Sequence, residues 1–126
     1  MDLLEQLRLD YQRFPADQSF HLYAKDVYFK DPLNEFRGIA RYQKMIGFID
    51  RWFRDVDLQL HDIAYANPHQ IDTKWTLSWA APVPWQPTMS IPGRSELGIG
   101  PEGKIISHID YWDCSRLSVL KQLFKR

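Results

Sequence analysis

The chain is short of cysteine, of net charge and of long apolar runs. Cys114 is the single cysteine, so no intrachain disulfide can form and no thiolate cluster can hold zinc or iron–sulfur. Lysine and arginine number 16, aspartate and glutamate 16, for a formal net charge of zero. That removes the overall electrostatic case for nucleic acid or an anionic membrane surface. No segment approaches an apolar membrane span, and the N-terminus is too polar for a signal peptide. His21, His61, His69 and His108 lack the close ligand spacing of a zinc helix motif, so no metal site is expected. "GIGPEG" is a turn without a helix start behind it, so no phosphate cradle, dinucleotide signature or other cofactor is indicated.

What the chain does have is apolar and aromatic material. Its 126 residues suit one domain spanning 1–126, and 44% are hydrophobic, with 14% aromatic. An aromatic core is available, and disorder is not expected. Leu4, Leu7, Tyr11 and Phe14 fall at helical spacing in "LLEQLRLDYQRF", a helix ending before Pro15. "PADQSFHLYA" predicts a second short helix, with Asp17 or Ser19 near its start. "VYFKDP" is a short extended piece closed by Pro32. A third helix from about Gly38 carries the stripe Ile39, Tyr42, Ile46, Ile49 and Phe53.

Strand-like runs follow at Val56–Ala66, Ile71–Ala80, about Met89–Ile99 and Gly103–Asp113. "GPEGK" is a turn between the last two. "APVPWQP" cannot sit in a central strand and predicts a loop or irregular edge. Residues 114–126 predict a helical tail, capped by Asp113 or Ser115, with Leu117, Leu120, Leu123 and Phe124 near one face. Helices followed by a mostly antiparallel sheet give an α+β fold.

In that order, "LYAKDVYFKDP", "FRGIARYQKMI", "WTLSW" and "GKIISHIDYWD" resemble the NTF2-like superfamily, which includes SnoaL-like polyketide cyclases and ketosteroid isomerases. "PVPWQP", "GRSELGI" and "SHIDYWDCSRLSVLKQLF" are similar to a branch found in cyanobacteria and plant plastids. The resemblance implies a cone: N-terminal helices on a strongly curved sheet, an extra C-terminal helix and a pocket inside. It also implies a cytoplasmic or plastid-stroma location and a link to photosynthesis.

Asp31, in "KDP", matches the general base of the isomerases; it equally suits a turn acid bonding nearby backbone N–H groups. Ser95 falls where the isomerases carry an acidic oxyanion donor, and Tyr11 lies one turn beyond the place of their helix tyrosine. This departure from the isomerase set argues against ordinary ketosteroid isomerase chemistry. His108 and Asp110 form a stronger pair. Strand parity puts them on one face with Ile106 and Trp112, where an imidazole beside a carboxylate can move protons or activate water. The alternative is a satisfied core histidine, with Asp110 paired to Arg94.

Trp75, Trp79 and Trp112 suit either a core or a pocket for an aromatic, polyene or tetrapyrrole ligand. Trp85, on the proline-rich loop, and Leu120 and Phe124, on the tail, are candidate contacts for a protein partner or homodimer. The leading expectation is a non-enzymatic domain that binds an apolar or aromatic small molecule or a protein. The second is an isomerase, lyase or cyclase using His108 and Asp110, with Asp31 as a further candidate. The third is a domain whose polar core only specifies the fold.

Overall fold

The computed structural model describes residues 2–124. Helix α1 (Leu3–Arg13) starts at Asp2, whose side chain accepts a hydrogen bond from the Glu5 N–H at 2.9 Å. Such a cap satisfies one of the donors a helix start leaves unpaired. A single 3₁₀ turn, Phe20–Leu22, stands where a second short helix was expected. The chain has already entered strand β1 (Tyr23–Lys30) there. An irregularity between Tyr23 and Tyr28 breaks its early alternation, and residues 27–30 fall on the expected extended piece. Strand β2 (Glu35–Arg37), which was not expected, pairs back on β1.

Helix α2 (Ile39–Trp52) buries Tyr42 and Ile46, on the expected stripe. Four long strands follow: β3 (Arg54–Asn67), β4 (Gln70–Ala80), β5 (Thr88–Ile99) and β6 (Ile105–Trp112). With β1 and β2 they form one six-stranded sheet in the order β2-β1-β6-β5-β4-β3. The β1–β6 pair is parallel and the others are antiparallel.

The architecture is α+β with helices packed on a mixed sheet, but the strongly curved cone must be corrected. The sheet is open: β2 and β3 are its two edges and do not pair with each other. A three-residue β2 ends the sheet short, and among the described residues no ladder closes it.

Helix α3 (Arg116–Gln122) is capped by Ser115, whose hydroxyl accepts from the Ser118 N–H at 3.0 Å. Because β6 ends at Trp112 opposite Gly93, the start of β5 lacks a partner strand on that side. Gln122 fills the gap, accepting from the Ser90 N–H at 2.6 Å and donating to its carbonyl at 3.0 Å. This docking turns Val119 and Leu123 inward. Leu123 thus leaves the expected apolar face, while Leu117, Leu120 and Phe124 are exposed. Residues 125 and 126 of the expected tail lie outside the described residues.

Candidate functional site

Three rows of side chains, set by the register of the central strands, build the site. Thr73, Ser95 and Asp110 stand side by side on β4, β5 and β6. One row along, Ile71, Leu97, His108 and Phe29 run from β4 to β1. On the other side come Trp75, Gly93 and Trp112. Gly93 is required by its neighbour, because a Cβ there would sit 2.6 Å from the Trp75 ring. The ring thus crosses β5 and brings its N–H to Ser95.

A bulge sets which residues of β6 face this way. Gly98 opposes Ser107 and Ile99 opposes Ile105, so β6 carries one extra residue. Ile105 is buried and Ile106 is exposed. The expected placement of Ile106 beside His108 is corrected, since strand parity does not survive a bulge.

Asp110 is the hub of the polar network. Its Oδ1 accepts from the Ser95 hydroxyl at 2.5 Å and is 2.7 Å from His108 Nε2. Ser95 in turn accepts from the Trp75 indole N–H at 2.8 Å. An Nε2–H directed at the carboxylate leaves Nδ1 facing the Tyr23 hydroxyl at 3.4 Å, and that hydroxyl lies 3.4 Å from the Tyr42 hydroxyl. The imidazole is bedded in rings, with centroids of Phe29 at 5.1 Å, Tyr42 at 5.7 Å and Tyr23 at 6.2 Å. Both bonds to Asp110 fall on one oxygen. Among the described residues Oδ2 has no protein partner, and no buried side-chain polar atom is left unpaired. Oδ2 is therefore accessible, the free face of a carboxylate held from behind.

Tyr11, from α1, reaches over the same row, with its hydroxyl 2.8 Å from Thr73 Oγ1. Burial pushes its phenol well above the usual range, and the nearby Asp110 charge adds to the effect. Burial likewise raises Tyr23, with Tyr42 adding to it, and raises Tyr42 itself. All three are neutral hydroxyls at physiological pH.

These groups open into a cavity of about 680 Å³, lined mostly by apolar side chains. His108, Asp110, Ser95, Tyr11, Trp75, Trp79 and Trp112 all line it. Val119 of α3 does too, so the tail helix forms part of the wall.

Asp31 lies at the rim, with its Oδ1 accepting from the backbone N–H groups of Leu33 at 2.8 Å and Asn34 at 2.6 Å. Asn34 Nδ2 also reaches both carboxylate oxygens, at 3.1 and 3.2 Å. The suggested Asp110–Arg94 pairing is corrected. Arg94 is 3.7 Å from Asp113 and lies over the Tyr111 ring at 4.3 Å, while Asp110 holds Ser95 and His108. The Trp85 indole donates to the Leu123 carbonyl at 2.6 Å, tying the proline-rich loop to the tail. Leu120 and Phe124 are exposed.

Tyr23, Tyr42 and Thr73 were not singled out for the site. Tyr42 was visible only as part of an apolar stripe, and nothing local in the sequence brings β1, α2 and β6 together. Among the described residues no group of three or more His, Cys, Asp or Glu could hold a metal ion, and no helix is long and apolar enough to cross a membrane.

Residues 1–108 match the family described as "Uncharacterized conserved protein (DUF2358)", and the chain belongs to that family. No curated protein matches it. Among solved structures, an NTF2-like protein from Exiguobacterium superposes with a TM-score of 0.72 at 13% identity, over 89% of this chain and 98% of that one. A protein with a ketosteroid isomerase-like fold from Catenulispora acidiphila, solved with trimethylamine, gives 0.74 at 17% identity, over 96% and 91%. An LEH-like epoxide hydrolase of M. tuberculosis gives 0.72 at 14%, over 95% and 87%. The chain shares the fold of NTF2-like and SnoaL-like structures. At such identities the likeness concerns the fold alone.

Proposed function

We propose that the chain is a small-molecule isomerase, lyase or cyclase in which Asp110 is the general base and His108 sets and shares its proton. The asymmetry of Asp110 carries this reading. Ser95 and His108 hold one carboxylate oxygen, while the other is free in a largely apolar cavity. A core carboxylate kept only to specify the fold would be expected to have both oxygens occupied.

In the proposed cycle, Oδ2 takes a proton from a carbon beside a carbonyl, and the electron pair moves onto the carbonyl oxygen. Tyr11, still protonated, donates to that oxygen when Thr73 donates to Tyr11. Returning the proton to a different carbon isomerises the substrate. Taking the proton from water instead would activate it for addition. His108 Nε2–H and the Ser95 hydroxyl stabilise the carboxylate at Oδ1 throughout. Asp31 is left out of this cycle, because its oxygens already serve its own turn.

The solved relatives include proteins named as a cyclase-like enzyme and as an epoxide hydrolase, which favours catalysis over the non-enzymatic binding first expected. The test is proton exchange in D2O on a panel of apolar ketones, enones and epoxides, followed by mass spectrometry. Wild-type protein should label or open at least one class, and Asp110→Asn should slow that reaction about 10²–10⁴-fold. An Asp110→Asn protein as fast as wild type would exclude Asp110 as the base. Saturable binding without turnover would return the chain to a binding role.

A further inference from the structure

The residues that line the cavity differ sharply between interior and rim. Inside are rings and aliphatic groups around the Asp110 network. At the rim, α2 and the loop after β1 contribute the exposed Leu33, Asn34, Arg41, Lys44 and Phe48. Arg41 and Lys44 are three residues apart on one helix, so they share a face. Among the described residues neither has an ion-pair or hydrogen-bond partner. Solvated cations on a helix are common; these two are distinguished by facing an apolar-lined opening.

None of the negative groups along the cavity forms an ion pair with them. Asp10 is held by Arg13 at 2.9 Å and by Ser19. Asp31 is folded into its own turn, and Asp110 into its network. The first turn of α2 has no acidic residue, and no side chain caps its start, so the positive end of the helix reinforces Arg41, which lies in that turn. Tyr42 follows Arg41 directly, and its ring is 5.7 Å from the imidazole. One ligand filling the cavity can therefore reach both the rim and the acid/base pair.

We infer that the ligand is an apolar, ring-bearing molecule with an anionic group of the carboxylate class, held at the rim by Arg41 and Lys44. This rests on the reading of the cavity as a small-molecule site. It adds polarity to that reading: the anion stays at the mouth while the body enters among the aromatic rings. A free carboxylate deep inside would instead face the Asp110 charge.

Titration calorimetry with 2-naphthylacetate and its neutral primary amide tests the inference. Both probes should bind at low salt, the carboxylate more tightly. Arg41→Gln and Lys44→Gln should each weaken the carboxylate about threefold to fivefold and leave the amide unchanged. Raising salt should narrow the gap between the probes, since exposed charges are screened. Lys25→Gln, an exposed cation that does not line the cavity, should change nothing. Equal binding of the two probes, or a carboxylate affinity indifferent to both rim variants, overturns the anion subsite while small-molecule binding stands. If neither probe binds, the cavity reading and this inference both fall.

Discussion

The two apolar clusters under the helices are built to different tolerances. In the first, Leu7, Val27, Phe29, Ile71, Leu97 and Ile105 are each at most 1% exposed. In the second, which holds Trp75, Trp79, Met89, Ile91 and Val119, no buried member falls below 3%. The first resembles an ordinary close-packed interior. The second pairs large flat rings, with Phe53 stacked on Trp79 at 4.8 Å, but leaves their other side to the cavity. The first cluster also lines the cavity, through Leu7, Phe29 and Tyr42, but Ile71, Leu97 and Ile105 lie wholly behind that wall, whereas Trp75, Trp79, Ile91 and Val119 of the second all line it.

Substitutions of matched severity separate these roles. Leu97→Ala should cost the most, about 3–5 kcal/mol, because its packed surroundings collapse only partly. Trp79→Ala removes a larger side chain yet should cost less, about 2–3 kcal/mol, because part of its surface faces the cavity and not packed neighbours. Urea melts of the two variants decide the point, and equal losses would erase the distinction between the clusters. Val119→Ala should cost about 1.5 kcal/mol, by the loss of roughly two buried methylene equivalents. Its larger effect should be on ligand affinity, because Val119 is the tail's contribution to the wall.

Tyr42→Phe should be the mildest at neutral pH, under about 1 kcal/mol, since only a 3.4 Å contact is lost. Alkali should reveal it. Tyr42 is raised above its unfolded value near 10, so in strong alkali the native protein keeps a proton that the unfolded chain releases. That stabilisation is complete below pH 10 and is lost as pH rises beyond it. Thermal melts should fall above pH 10 in wild type and fall less steeply in Tyr42→Phe. Parallel curves would mean that the phenol is not protected by the cluster.

Much of this was legible where pattern and structure share a period. The four long strands and α2 follow regular apolar spacing, and the pairing of His108 with Asp110 follows from their two-residue separation. Legibility failed at irregularities. The bulge moved Ile106 to the outside, and the uneven start of β1 hid its first two residues under an expected helix, while the expected extended piece covers residues 27–30. Strand β2 is too short to carry a pattern. The openness of the sheet was hidden because it depends on two edges failing to meet, which no local segment encodes. The gathering of Tyr23 and Tyr42 around His108 has no local signal, because they arrive from elements far apart in sequence. The direction of the tail depends on Gln122 satisfying the Ser90 backbone, and apolar spacing says nothing about that bond.

The parallel pairing of β1 with β6 bears on how the molecule comes into being. Phe29 and His108 are partners across about eighty residues of chain. During synthesis β1 can acquire β2 early, but its other neighbour is made last among the strands. Until then a row of unpaired backbone groups stays open to wrong partners, and ring closure over so long a loop slows folding. The same late event seats His108 on Phe29 and completes the aromatic bed of the imidazole. A nascent chain that stalls before β6 therefore lacks both ladders of that strand and the pairing of His108 with Asp110.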